Sequence, residues 1–157
     1  MFESLAEGKW DEIPQPEWNS PTEVPEALRE ILNVQDEVSA ERAYHRLLFA
    51  LGNDHAGTYY PVAVSAVPFI GEALRHDKSL VRETALNVLV DLVGSFGPEL
   101  GFETIRSASG LEMPLEGALR GEVVKLRPQL LECLSTAAKG SEEYGLLMEL
   151  IGMTELS

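Results

Sequence analysis

Three segments of this chain close alike: Leu47-Leu48-Phe49-Ala50-Leu51-Gly52, Leu89-Val90-Asp91-Leu92-Val93-Gly94 and Leu147-Met148-Glu149-Leu150-Ile151-Gly152. Such a repeat constrains the fold more than composition does, because one unit cannot bury its apolar face alone and must stack on its neighbours. Counted back from each glycine, Tyr44, Leu86 and Tyr144 are equivalent, as are Ala43 and Ala85 in the first two units. Apolar residues at spacings of three, four and seven form one stripe of an amphipathic helix. Each run opens at a serine (Ser39, Ser79, Ser141), a favoured N-cap, and stops at a glycine, favoured just past a helix end.

Upstream of each run lies a helix marked by a proline followed by apolar residues, at Pro25, Pro68 and Pro128. The separations from proline to closing glycine are 27, 26 and 24 residues. Pro25 falls near a helix start, whereas Pro68 and Pro128 fall inside helical patterns over about 61–76 and 116–138, which predicts kinked helices there. The closing glycines are 42 and then 58 residues apart; the surplus falls in the Gly-, Ser- and Pro-rich stretch 95–114, which predicts a long inserted loop. The chain therefore reads as a single domain over 1–157: an irregular arm at 1–20, repeats at 21–53 and 58–94, the insertion at 95–114 and a third repeat at 115–152. Trp10 and Trp18 in the arm are expected to cap the first helix pair. Asn53 and Asp54 are expected to end a helix, Gly57 to make the turn, and Thr58 to cap the next helix.

The formal net charge is −14, with 11 acidic and two basic residues among 1–41, against 15 and 10 in the remainder. That field repels nucleic acid and anionic membrane and attracts a basic partner. There is no apolar run of the roughly 20 residues that span a bilayer. The start, Met1-Phe2-Glu3-Ser4-Leu5, lacks the basic and apolar regions of a signal peptide. With one cysteine, Cys133, expected as a small buried hydrophobe, these features predict a cytoplasmic protein.

The stretch Asp77-Lys78-Ser79-Leu80-Val81-Arg82 resembles HEAT repeats, and the resemblance implies that Asp77 and Arg82 form part of a ladder along the stack. Residues 54–61, Asp-His-Ala-Gly-Thr-Tyr-Tyr-Pro, followed by Ala66-Val67-Pro68-Phe69-Ile70, are similar to a bacterial branch of HEAT-repeat proteins. The resemblance covers about 22–94. It implies an all-α fold: a short right-handed α-solenoid of about three HEAT-like helix hairpins, with the second helices lining a concave surface. By analogy with short acidic members, it implies an immunity-type protein that binds and neutralises a basic toxin or effector.

His45, His55 and His76 are 10 and 21 residues apart, which matches no metal-ligand pattern. Asp54 and His55 beside Tyr59 and Tyr60 suggest an acid–base pair, but no nucleophile motif or phosphate loop accompanies them. No catalytic residue, cofactor or metal is therefore expected. Glu83, Asn87 and Asp91 lie four apart on one helix face. Superposing the repeats by their glycines adds Glu41, His45, Glu142 and Glu149 to an acidic wall, with Phe49, Tyr59 and Tyr60 either its aromatic anchors or part of the core. The expected partner is another protein with a basic surface. A HEAT-like lyase or cofactor-handling role, and a homo-oligomeric structural module, stand as alternatives.

Overall fold

The computed structural model describes Leu5 and residues 9–155. Most of the arm's first eight residues and residues 156–157 lie outside it, so expectations placed on those positions have no structural counterpart here. The described chain is predominantly helical, with seven α-helices and five short strands. The helices are α1 (Glu23–Leu32), α2 (Glu37–Leu51), α3 (Val62–Glu72), α4 (Ser79–Gly94), α5 (Leu115–Val124), α6 (Arg127–Thr136) and α7 (Glu142–Glu155). None is long and apolar enough to cross a membrane.

The three helices that carry the repeated phrase lie side by side, with α4 packed against α2 on one flank and α7 on the other. Opposite them, α1 packs on α2 and α3, α3 packs on α5, and α6 packs on α7. Leu47, Leu48 and Leu51 of α2, Val81, Leu86, Leu89 and Leu92 of α4, and Leu147, Leu150 and Ile151 of α7 are buried in one core. Val24, Leu28, Val67, Ile70, Leu119 and Val123 meet them from the other layer.

Several local expectations are corrected. Asp36, rather than Ser39, is the N-cap of α2: Ser39 N donates to Asp36 Oδ1 at 2.8 Å while Asp36 N donates back to Ser39 Oγ at 3.0 Å. Ser79 is the first residue of α4, after Lys78. Ser141 does cap α7, its Oγ accepting from Tyr144 N at 3.1 Å. Gly152 does not stop α7, which continues to Glu155; an interior glycine costs only about 1 kcal/mol in a helix, and packing overrides it. The expected kinked helix over 116–138 is two helices, with Pro128 in the first turn of α6, where its missing N–H leaves no bond unmade. Pro68 does sit within α3, which tightens into a 3-10 turn at Ala73–Arg75.

The all-α expectation meets short strands. β1 (Gly52–Asn53) and β2 (Thr58–Tyr59) pair antiparallel around Gly57, whose φ of 71° favours glycine. Gly52 is required by contact: a Cβ there would lie 1.9 Å from the Thr58 carbonyl oxygen. Thr58 consequently sits in a strand, donating its hydroxyl to Glu99, and does not cap α3. The insertion adds β3 (Gly97–Pro98), parallel to β2, and a hairpin of β4 (Thr104–Arg106) and β5 (Glu112–Pro114). Strands of two or three residues are too short to show an alternating pattern in sequence.

The arm does more than cover an apolar end. Trp10 is buried against Phe69 of α3, with ring centroids 5.5 Å apart, and Pro14 O accepts from Val62 N at the start of α3. The last four carbonyls of a helix have no partner within it. In α2 each finds one elsewhere: Leu48 O accepts from Gly52 N, Phe49 O from Trp18 Nε1 at 2.9 Å, Ala50 O from Asn19 Nδ2 at 2.7 Å, and Leu51 O from Tyr60 N at 2.9 Å. Asn19→Ala leaves the Ala50 carbonyl without its donor and is expected to lower unfolding free energy by about 1–3 kcal/mol in urea titration. Trp18→Phe, which removes one N–H and keeps a ring, should cost about 1 kcal/mol. Unchanged midpoints would show that the arm does not hold α2.

Candidate functional site

The amino-terminal parts of α2, α4 and α7 enclose a groove with a cavity volume of about 400 Å³. Glu37, Ala40, Glu41, Tyr44 and His45 come from α2, Leu80, Glu83, Thr84 and Asn87 from α4, and Glu142 from α7. Spacings of three and four give α2 and α4 one stripe each on this groove, and α7 adds Glu142. Ala40, Leu80 and Thr84 form the floor, where the buried Thr84 hydroxyl donates to Leu80 O at 2.7 Å. Glu37, Glu41 and Glu142 stand exposed on the rim.

The acidity of this groove is largely uncompensated. Among the described residues, no lysine or arginine pairs with Glu37, Glu41, Glu83 or Glu142; only His45 approaches, with Nε2 3.9 Å from Glu41 Oε1. Burial raises the carboxyl pKa of Glu83 above its ordinary value, and the charges of Glu142 and Glu143 raise it further, against the opposing pull of Arg82. The imidazole of His45 is turned to the β1–β2 turn, with Nδ1 2.9 Å from Asp54 Oδ2. Asp54 is thus paired with His45 and not with the exposed His55, so the acid–base pair suggested by sequence adjacency does not form.

Five of the expected contact residues (Glu41, His45, Glu83, Asn87 and Glu142) converge here. Five do not line the groove. Asp91 accepts a hydrogen bond from the Tyr44 hydroxyl, tying α4 to α2. Burial and the charge of Asp91 together push the Tyr44 phenol pKa upward. Tyr59 is a core residue at 1% exposure, its phenol pushed up to about 12 by burial, so it cannot anchor a partner. Tyr60 is half-buried against Phe102, with centroids 4.8 Å apart. Glu149 is exposed on α7 and, like its repeat counterparts Asp91 and Phe49, lies beyond the groove, whose lining ends at His45 on α2 and Asn87 on α4. Phe49 lies one turn beyond His45, half exposed and stacked on Trp18 at 4.8 Å. Glu37, Tyr44 and Thr84 went unforeseen, although stepping by four from Glu41 and by three or four from Leu80 reaches Glu37 and Thr84.

The implied Asp77–Arg82 ladder takes another form. Arg82 donates to the main-chain carbonyls of His76 and Asp77 at 2.7 and 2.9 Å, while Nε and Nη2 grip the Glu143 carboxylate at 2.5 and 3.0 Å. The acid that meets the guanidinium comes from α7, while the carbonyls of residues 76 and 77 take its remaining N–H group. Cys133 is half-buried near this bridge and donates to Leu74 O at 3.2 Å; burial and the charge of Glu143 raise its thiol pKa. Among the described residues, no three His, Cys, Asp or Glu side chains are grouped to hold a metal ion.

No protein-family model, curated protein or solved structure matches this chain.

Two measurements follow from the site. Because the folded pKa of Glu83 is raised, its ionised form opposes folding, and the penalty grows as pH rises through and above 4.5. Glu83→Gln is therefore expected to stabilise the protein at neutral pH by roughly a few tenths of a kcal/mol, since solvent reaches the group. That gain should fade below pH 4.5. Arg82→Ala strands the buried Glu143 carboxylate and is expected to cost about 3 kcal/mol or more. Arg82→Met with Glu143→Leu should recover most of that loss in the same denaturation assay; no recovery would mean the pair is not the source.

Proposed function

We propose that this chain is a non-catalytic protein-binding scaffold, a short α-solenoid of HEAT-like hairpins that holds a basic partner in the groove between α2, α4 and α7. The observation that carries the reading is the set of four glutamates that, among the described residues, have no lysine or arginine partner, around a partly apolar floor. Such a site is acidic at rest and gains from a cation, since an arriving guanidinium or ammonium would relieve the mutual repulsion of Glu83 and Glu142. The net charge of −14 adds long-range attraction for the same class of partner. On this reading the protein is an immunity-type inhibitor, occluding a basic toxin or effector in the cytoplasm.

A lyase or cofactor-handling role is a second reading, favoured by the gathering of Glu83, Tyr44 and His45 around one cavity. The two separate by what the groove retains: a macromolecule with a steep salt dependence, or a small molecule without one. Co-purification with the product of the adjacent gene tests the first. A complex is expected that weakens with salt, and Glu83→Lys with Glu142→Lys should abolish it while leaving Tm within a few degrees. No complex with that product, or equal affinity in the double variant, would sink the proposal.

A further inference from the structure

A pair of exposed aromatic side chains continues the groove along α2. Phe49 and Trp18 are 45% and 46% exposed and stack with ring planes 23° apart. The indole is fixed in place by its bond to Phe49 O, so the pair presents a rigid apolar step to solvent. Val38, Arg42, His45 and Phe49 share one face of α2 at helical spacing; Val38 is exposed, at 74%, and so is Arg42, and the acidic surface begins on the groove side of that face at Glu41. The apolar step is eight residues from Glu41 on the groove rim, about 12 Å along the helix axis.

We propose that this exposed face of α2 docks an amphipathic basic helix of a partner protein, with an apolar side chain seated on the Trp18–Phe49 step and an arginine or lysine two turns away entering the acidic groove. The inference rests on the groove being a partner site, and adds the partner's shape and the spacing of its two contacts. Charge complementarity selects the occupant: a second copy of this chain carries the same charge of −14 and is repelled from the rim. Both rims are helices, whose main-chain groups are bonded internally, so an extended strand gains no backbone pairing there, whereas a helix fits between two helical ridges. Matching the spacing on α2 places the partner's apolar and basic residues at i and i+7 or i+8 of its own helix. An ordered, half-exposed aromatic pair beside charged rims has the character of an interface anchor.

The protein supplies its own probe, since Trp10 is buried and Trp18 is exposed. The titrant is an alanine-based helical peptide of about 16 residues that lacks tryptophan, with two leucines near one end and two arginines two turns away. A shuffled peptide of the same composition is the control. Binding of the patterned peptide should shift indole emission to the blue and reduce acrylamide quenching, with the shuffled peptide at least about five-fold weaker. Phe49→Ser, which keeps the carbonyl that holds Trp18, should weaken binding about five-fold or more, and Glu83→Gln with Glu142→Gln about ten-fold. If the carboxylate variant loses affinity while Phe49→Ser and the emission are unchanged, the groove binds cations but the docking face is wrong. Equal binding of patterned and shuffled peptides, or none by either, overturns the inference.

Discussion

Helix α4 is buried along two flanks, and the arrangement of the described residues follows from that requirement. Val81, Ala85, Leu86, Val88, Leu89 and Leu92 all lie inside, more than one amphipathic stripe can supply. A helix so apolar needs a neighbour on each side, and α2 and α7 fill those places. What remains of α4 for solvent is a narrow strip, and its amino-terminal part carries Glu83 and Asn87 into the groove. The same burial that fixes the stack therefore brings three polar strips together.

Around the groove, some charged residues are paired across helices and others face solvent. The carboxylate of Glu143 is buried and fully engaged by Arg82, whereas its chain neighbour Glu142 is exposed with no lysine or arginine. Adjacent positions on α7 thus serve opposite ends, because a helix turns them about 100° apart. Likewise Tyr44 and Asp91 satisfy each other, while Glu41 and Glu83 nearby remain free to meet a cation. Counting acids in the chain cannot make this distinction; their geometry against the cations does.

The helical layers were legible because their signals are periodic and long. Leu47, Leu89 and Leu147 recur in register and all are buried. The groove was half legible: helical spacing gives Glu83 and Asn87, and superposing the repeats by their glycines adds Glu41, His45 and Glu142. Glu149 falls outside because the groove's lining ends at His45 and Asn87, short of its repeat counterparts Phe49 and Asp91 as well. For Tyr59 the sequence leaves anchor and core both open, because a two-residue strand gives no alternation to say that Thr58 faces out and Tyr59 in. The acid that meets Arg82 is not legible in the sequence for another cause. Asp77 and Glu143 are equally acidic, and only the approach of α7 decides that Glu143 closes the fork.

That fork spans an unusual distance in the chain. Its acid and its base are 61 residues apart, whereas its carbonyl ligands lie five and six positions from the arginine. The carbonyl contacts close short loops at small entropy cost, whereas the Glu143 contact closes a long one. One guanidinium thus fastens a local turn and a distant helix at the same point, so its loss would loosen both.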